Sequence, residues 1–276
     1  MQVQEKAPAK INLALHITGK RADGYHLLDS LVAFADLGDV LHLQEAHHTS
    51  LHIEGPFAHK LHAEDEENLI LRAIAGLRAL LPHLPHVKVT LEKHLPISSG
   101  IGGGSADAAA AIRGLLKMTD KPANKADIQS LALSLGADVP VCLAGETCRM
   151  RGIGEDLEPF ALGPFHALLV NPGKPCSTKQ VFAQLNLQQG FAPIENPQSL
   201  ETTRNDLEAP AIQALPIIGE VLQALRQFAG AQLVRMSGSG ATCFALFNHA
   251  QDALAAASQL QSTKPQWWIK PVRLGT

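Results

Sequence analysis

Four glycines, Gly100, Gly102, Gly103 and Gly104, crowd the stretch LPISSGIGGGSADAAAAIR at residues 95–113. A β-like alternation ends at His94 and a run of strong helix formers begins at Ser105. Glycine lets the main chain approach a ligand closely, and the first turn of a helix has amide N–H groups without internal acceptors. Those donors, with the positive end of the helix dipole, make a seat for an anion, most often a phosphate. A flexible linker is a poor account of glycines set hard against Ser-Ala-Asp-Ala-Ala-Ala.

The two commonest nucleotide loops do not fit. A P-loop has Gly-Lys-Ser/Thr after its glycines, whereas Ser105 and Ala106 follow Gly104 and no lysine is supplied. The dinucleotide fingerprint G-x-G-x-x-G/A, counted from Gly100, would place glycine or alanine where Ser105 stands. Its acid should end a second strand, and Asp120 instead follows a helix pattern.

Other candidate residues flank this loop at long range. Ala9 to His16 alternates as a strand, with Ile11, Leu13 and Leu15 on one face and Lys10, Asn12 and Ala14 on the other. Taken alone, Lys-x-Asn reads best as a wet strand face. Gly19 to His26, GKRADGYH, is a turn-rich loop closing on Tyr25 and His26. A flat heterocycle is suited by such an aromatic face and a ring that donates and accepts, although packing and surface polarity explain the pair as well. Asp138 sits in the turn G-A-D-V-P, where a helix cap or Asx-turn is the plain structural explanation.

The elements that must position these residues follow from periodicity. Strands are expected at 31–35, 39–45, 50–54 and 87–91, and helices from Asn68 to Pro82, from Ser105 onward and over 127–135. Residues 147–152 and the following turn close a first half. A new strand over 166–171 puts the boundary near residue 160, giving domains of 1–160 and 161–276. Residues 189–205 are polar and irregular, 217–228 helical, 233–236 a strand, and 250–260 and 267–272 a final helix and strand. Mixed strands and helices without steady βαβ alternation indicate the α+β class.

With 46% hydrophobic and 18% charged residues the chain is an ordinary globular protein, and a formal charge of −3 argues against a broad nucleic-acid or anionic-membrane surface. The opening MQVQEKAPAK lacks an apolar h-region and no later run is long enough to span a bilayer, so a cytoplasmic location is expected. Cys142, Cys148, Cys176 and Cys243 show no metal or disulfide spacing. His47, His48, His52, His59 and His62 cluster without ligand spacing, so no metal site is assigned.

The pattern P-x-S-S-G-I-G-G-G-S-A-D-A-A resembles the ATP loop of the GHMP kinase superfamily, which includes galactokinase, homoserine kinase, mevalonate kinase and phosphomevalonate kinase. Three ordered motifs carry the likeness: A-K-I-N-L at residues 9–13, the glycine loop, and M-S-G-S-G-A-T-C-F at 236–244. The D-G-Y-H element is similar to that of the branch acting on 4-diphosphocytidyl-2-C-methyl-D-erythritol.

The resemblance implies a two-domain fold, with an N-terminal ribosomal protein S5 domain 2-like part and a C-terminal ferredoxin-like α/β sandwich. It implies ATP along Pro96, Ile97, Ser98, Ser99, Gly100, Ile101, Gly102, Gly103, Gly104, Ser105 and Ala106. Magnesium would accompany it, with no Asp/Glu pair to identify its ligands. By the same likeness Asp138 is the catalytic base and Lys10 the orienting cation. Asn12, Tyr25, His26, Thr178 and Phe182 would contact the acceptor, in a monomer or weak homodimer. A sister small-molecule kinase and a nucleotide-binding module without transfer stay open as alternatives.

Overall fold

A computed structural model describes residues 1–61, 68–185, 187 and 190–275; His62 lies outside them. The chain forms two compact units that are discontinuous in sequence: residues 1–9, 38–97 and 102–145, and residues 10–37, 98–101 and 146–276. Two long paired strands, β1 (Gln2–Lys20) and β2 (His26–Ala46), contribute to both. The expected short strands at 31–35 and 39–45 are one strand. Residues 29–35 of β2 are buried on both faces, which erases the period-two pattern there, while 39–43 alternate.

In the first unit β3 (Ser50–Glu54) runs parallel to β4 (His86–Glu92), and β4 runs antiparallel to β2, with Leu43, Val89 and Leu51 in one row. Val87, Val89 and Leu91 are buried and Lys88 is exposed, as the alternation requires. Helices α1 (Leu69–Leu80), α2 (Gly103–Leu116), α3 (Lys125–Leu135) and α4 (Val139–Ala144) pack on one another. Asn68 starts α1 by accepting the Ile70 N–H, and Ile70, Ala73, Ile74 and Leu77 form its buried stripe. Helix α2 lies so close to β2 that a Cβ on Gly114 would stand 2.7 Å from Leu43 Cδ1.

In the second unit β5 (Cys148–Gly152) pairs with β2, and β6 (Asp156–Pro159) with β5. Then come β7 (Phe165–Asn171), α5 (Thr178–Gln184), α6 (Glu208–Ala214), α7 (Ile217–Arg226), β8 (Ala231–Met236), β9 (Cys243–Phe247), α8 (Ala250–Thr263) and β10 (Trp268–Leu274). The antiparallel order β10-β7-β9-β8, with α7 after β7 and α8 after β9, is the β-α-β-β-α-β arrangement of a ferredoxin-like sandwich. Ile218, Val221, Leu222 and Leu225 recur at helical spacing on α7 and join Leu168, Val170, Ala245 and Leu260 in the core.

Residues 190–206 are irregular, apart from a short 3₁₀ turn, yet they are firmly tied to β1 and β2. Asp29 accepts a bidentate pair from Arg149 and the Ile194 N–H. Burial alone would raise the Asp29 carboxyl, but these donors hold it below the usual range. The Arg204 N–H donates to His16 Nε2, so Nδ1 carries the proton and donates to the Ala192 carbonyl.

One backbone approach sets where β1 and β2 meet in the first unit. A Cβ on Gly38 would stand 2.3 Å from the Ala7 carbonyl oxygen and 2.6 Å from Pro8 Cα, main-chain atoms that cannot swing aside. The substitution Gly38→Ala is expected to cost about 3 kcal/mol or more, read as a drop in unfolding midpoint with unchanged denaturant dependence. A midpoint equal to that of the parent would contradict this packing.

Candidate active site

The glycine loop is shared between the units, and each part is held by its own contacts. In the second unit four consecutive carbonyls are engaged by the protein. Ser98 O accepts from Cys176 N–H, Ser99 O from Thr242 N–H, Gly100 O from Ser237 Oγ and Ile101 O from Lys10 N–H. With its acceptors turned inward, this stretch has mainly donors to offer a ligand. Gly100 has φ 75°, and a Cβ there would meet the Ser237 and Gly240 carbonyl oxygens at 2.5 and 2.7 Å. Ser98 keeps a left-handed φ of 51° without being glycine, a conformation that stores local strain.

In the first unit Gly102 takes φ 68° and α2 begins at Gly103, two residues before the expected start. The first loop carbonyl in the helix ladder is that of Gly102, accepting from Ala106 N–H. The preceding amides of Gly103, Gly104 and Ser105 therefore have no intrahelical acceptor, and no acidic side chain sits in the first turn to occupy them. Both parts suit an anionic phosphate chain.

Lys10 and Asn12 do not lie on a wet strand face: they are 2% and 0% exposed. The Asn12 N–H donates to Ser237 Oγ, and its Nδ2 donates to Ser30 Oγ, whose own proton goes to the Ala14 carbonyl. That network fixes the amide orientation and leaves Asn12 Oδ1 buried without a partner. Burial pushes the Cys148 thiol up to about 11, aided by Glu146, while the Lys10 charge pulls it down.

Asp138 belongs to the first unit, at the start of α4, and its side chain makes no cap hydrogen bond. Helix capping therefore does not account for an aspartate at this turn. The short helix is tied down by Arg113 of α2, which donates to the Cys142 carbonyl, to Glu5 and to the Lys6 carbonyl.

The remaining acceptor candidates sit in the second unit. Tyr25 is 57% exposed at the end of its turn, where its carbonyl accepts from the Arg21 N–H, and the His26 ring stacks on Phe182 with centroids 4.6 Å apart. Burial and the nearby Lys20 charge lower the His26 pKa, so the ring is neutral at pH 7. Thr178 is hydrogen-bonded to Ser239 through the hydroxyls, which joins the start of α5 to the second glycine-rich turn. Among the described residues no group of three or more metal-ligating side chains could hold an ion. No described helix is long and apolar enough to cross a membrane.

Many known proteins are similar to this chain. The model of the GHMP kinases N terminal domain matches residues 68–146, and that of the GHMP kinases C terminal matches 194–266. Proteins named 4-diphosphocytidyl-2-C-methyl-D-erythritol kinase from Roseobacter denitrificans and Paracoccus denitrificans are 48% and 50% identical. The alignments cover 99% and 96% of this chain and 94% of each relative. The chain belongs to the GHMP kinases. A crystal structure of 4-(cytidine 5'-diphospho)-2C-methyl-D-erythritol kinase, 33% identical, superposes with a TM-score of 0.83 over 99% of this chain and 100% of that one. A homoserine kinase from Cytophaga hutchinsonii, at 18% identity and a TM-score of 0.73 over 99% of this chain and 95% of that one, shares the fold.

This member of the GHMP kinases also holds a charged cluster that sequence reading missed. Lys93 Nζ donates to Asp39 Oδ2 at 2.5 Å and to Asp107 Oδ2 at 2.6 Å, and all three residues are almost completely buried. The residues lie far apart in sequence, in a strand, at a strand end and in a helix, so no spacing announces them. One ammonium cannot neutralise two carboxylates. Burial is the dominant influence on both partners: it opposes the Lys93 charge, but the two acids hold that pKa above its usual value. Asp107, with Oδ1 unpartnered, is pushed up to about 7.

The consequence for stability has a definite sign. A folded-state pKa raised from 3.8 to about 7 means that the folded form holds a proton that the unfolded chain has released across that window. This contribution is full below the lower value and is lost as pH rises toward the upper one. Thermal midpoints measured from pH 4.5 to 8 should fall for the parent relative to Asp107→Asn; parallel curves would refute a protonated Asp107.

Proposed function

We propose that this protein is an ATP-dependent kinase that phosphorylates the 2-hydroxyl of 4-diphosphocytidyl-2-C-methyl-D-erythritol, yielding the 2-phosphate, an isoprenoid precursor on the non-mevalonate route. The observation that carries the reading is an exposed aromatic ring, Tyr25, next in sequence to a neutral His26 ring whose face stacks on Phe182. An exposed aromatic face suits a cytosine ring, and a small polar acceptor such as homoserine or mevalonate has nothing to place on it. Relatives at 48% and 50% identity bearing that substrate's name support the same reading.

In this mechanism ATP, with magnesium accompanying it, would lie along Pro96 to Ala106. Asp138 accepts the proton of the attacking hydroxyl, and Lys10 orients that hydroxyl and offsets charge on the transferring group. Asn12 Oδ1 is a buried acceptor that a donor from a bound ligand would satisfy. Thr178 and Phe182 flank the acceptor. The reaction would take place in the cytoplasm, in a monomer or weak homodimer.

A coupled ADP-release assay with the cytidine diphosphate alcohol, homoserine and mevalonate tests the substrate: only the first should be turned over, and preference for either of the others would overturn the reading. Asp138→Asn should lower kcat by about 10²–10⁴-fold while ATP still binds; activity near the parent's would remove Asp138 as base. Tyr25→Ala should raise KM for the alcohol about tenfold and leave KM for ATP unchanged. An unaltered acceptor KM would exclude stacking. Acceptor binding should also weaken as pH falls below the lowered His26 pKa and stay constant above pH 7.

A further inference from the structure

The buried cluster beneath the glycine loop has no part in the chemistry described so far, and its geometry gives it one. Asp39 Oδ1 accepts the N–H groups of both His94 and Leu95, at 2.6 and 2.8 Å, where β4 turns into the loop. Its other oxygen accepts from Lys93 Nζ. The same ammonium reaches Asp107 on α2, and a Cβ on Gly103 would stand only 3.3 Å from it. One carboxylate thus holds the residues entering the loop, and through one lysine it also holds the helix leaving it.

We propose that Asp39 is a positioning residue for nucleotide binding: with Lys93 as bridge, it fixes the entry of the loop to the first turns of α2, so that the helix-start amides stand preorganised for a phosphate. The inference rests on reading residues 96–106 as the nucleotide loop. Charge chemistry favours this arrangement over apolar packing. Bonds to an ionised group are short and directional, and a buried ammonium that loses a partner cannot relax into water. The loop ends are held by directional bonds where glycine side chains could provide no packing. Lys93 is not itself a phosphate ligand here, since its ammonium is engaged by two carboxylates and is 3% exposed.

The test separates nucleotide from acceptor. ADP binding is measured by calorimetry, and KM for ATP and for the cytidine alcohol by steady-state kinetics, at a temperature where each variant is folded. Asp39→Ala should weaken ADP and raise KM for ATP about tenfold or more, with KM for the alcohol within about twofold of the parent. Asp39→Asn should act in the same direction. Whichever way its amide is turned, an NH₂ group faces either Lys93 or the His94 and Leu95 donors. Unchanged ADP affinity in a folded variant, or equal loss toward both substrates, would overturn the proposal.

Should neither variant fold, hydrogen exchange on the parent decides. The His94 and Leu95 amides should be protected without nucleotide, and exchange at the rate of an open turn would overturn preorganisation. Failure of the functional reading looks different: a parent protein that binds ADP but transfers phosphate to no alcohol would sink that reading and leave this one standing.

Discussion

The second unit depends on main chain packed against main chain without side chains between. Residues 98–101 and 237–242 approach until a Cβ on Gly100 would overlap the Ser237 carbonyl, and one on Gly238 would stand 2.7 Å from the Gly100 carbonyl. At that separation every polar backbone group needs a partner inside the pair or beside it, because water cannot enter. The carbonyls of Ser99 and Gly100 find donors inside the pair, and those of Ser98 and Ile101 find the Cys176 and Lys10 N–H groups beside it. The acceptor side of this stretch is thus consumed by the fold.

The same economy of partners recurs around the loop's entry and exit. Asp39, Lys93 and Asp107 hold one ammonium and two acids away from water, an arrangement that often adds little net stability compared with well-packed hydrophobic residues. What it adds is geometry. The carboxylate bonds to two successive amides, and the ammonium bonds to a strand partner and a helix partner at once. The unpartnered oxygen of Asp107 and its raised pKa are the cost of asking one cation to serve two acids.

Elsewhere, arginines tie segments that lack regular structure or a long helix. Arg149 and Asp29 anchor residue 194, and Arg235, almost fully buried, donates to carbonyls of Leu13, Leu200 and Thr203. Burial lowers the Arg235 pKa to about 10, against the opposing pull of Glu208, and it still has its charge at neutral pH. Arg113 does comparable work for the six-residue helix that begins after Asp138.

By itself the sequence determined the elements whose signal is local. The Asn68 cap, the alternation of β4, the helical stripe of α7 and the glycine turns are written in neighbouring residues, because capping, pleat and left-handed backbone depend on neighbours. The glycine-rich character of the loop was legible for the same reason. Tertiary structure alone decided which strand faces were buried: Lys10 and Asn12 looked solvated until both faces of β1 were covered. It also merged two expected strands into β2, and it denied Asp138 a capping bond. The meeting of Asp39, Lys93 and Asp107 across 68 residues is the clearest case (107 − 39). No periodicity encodes a contact between residues so far apart, because its energy depends on desolvation and exists only once the surrounding core has closed.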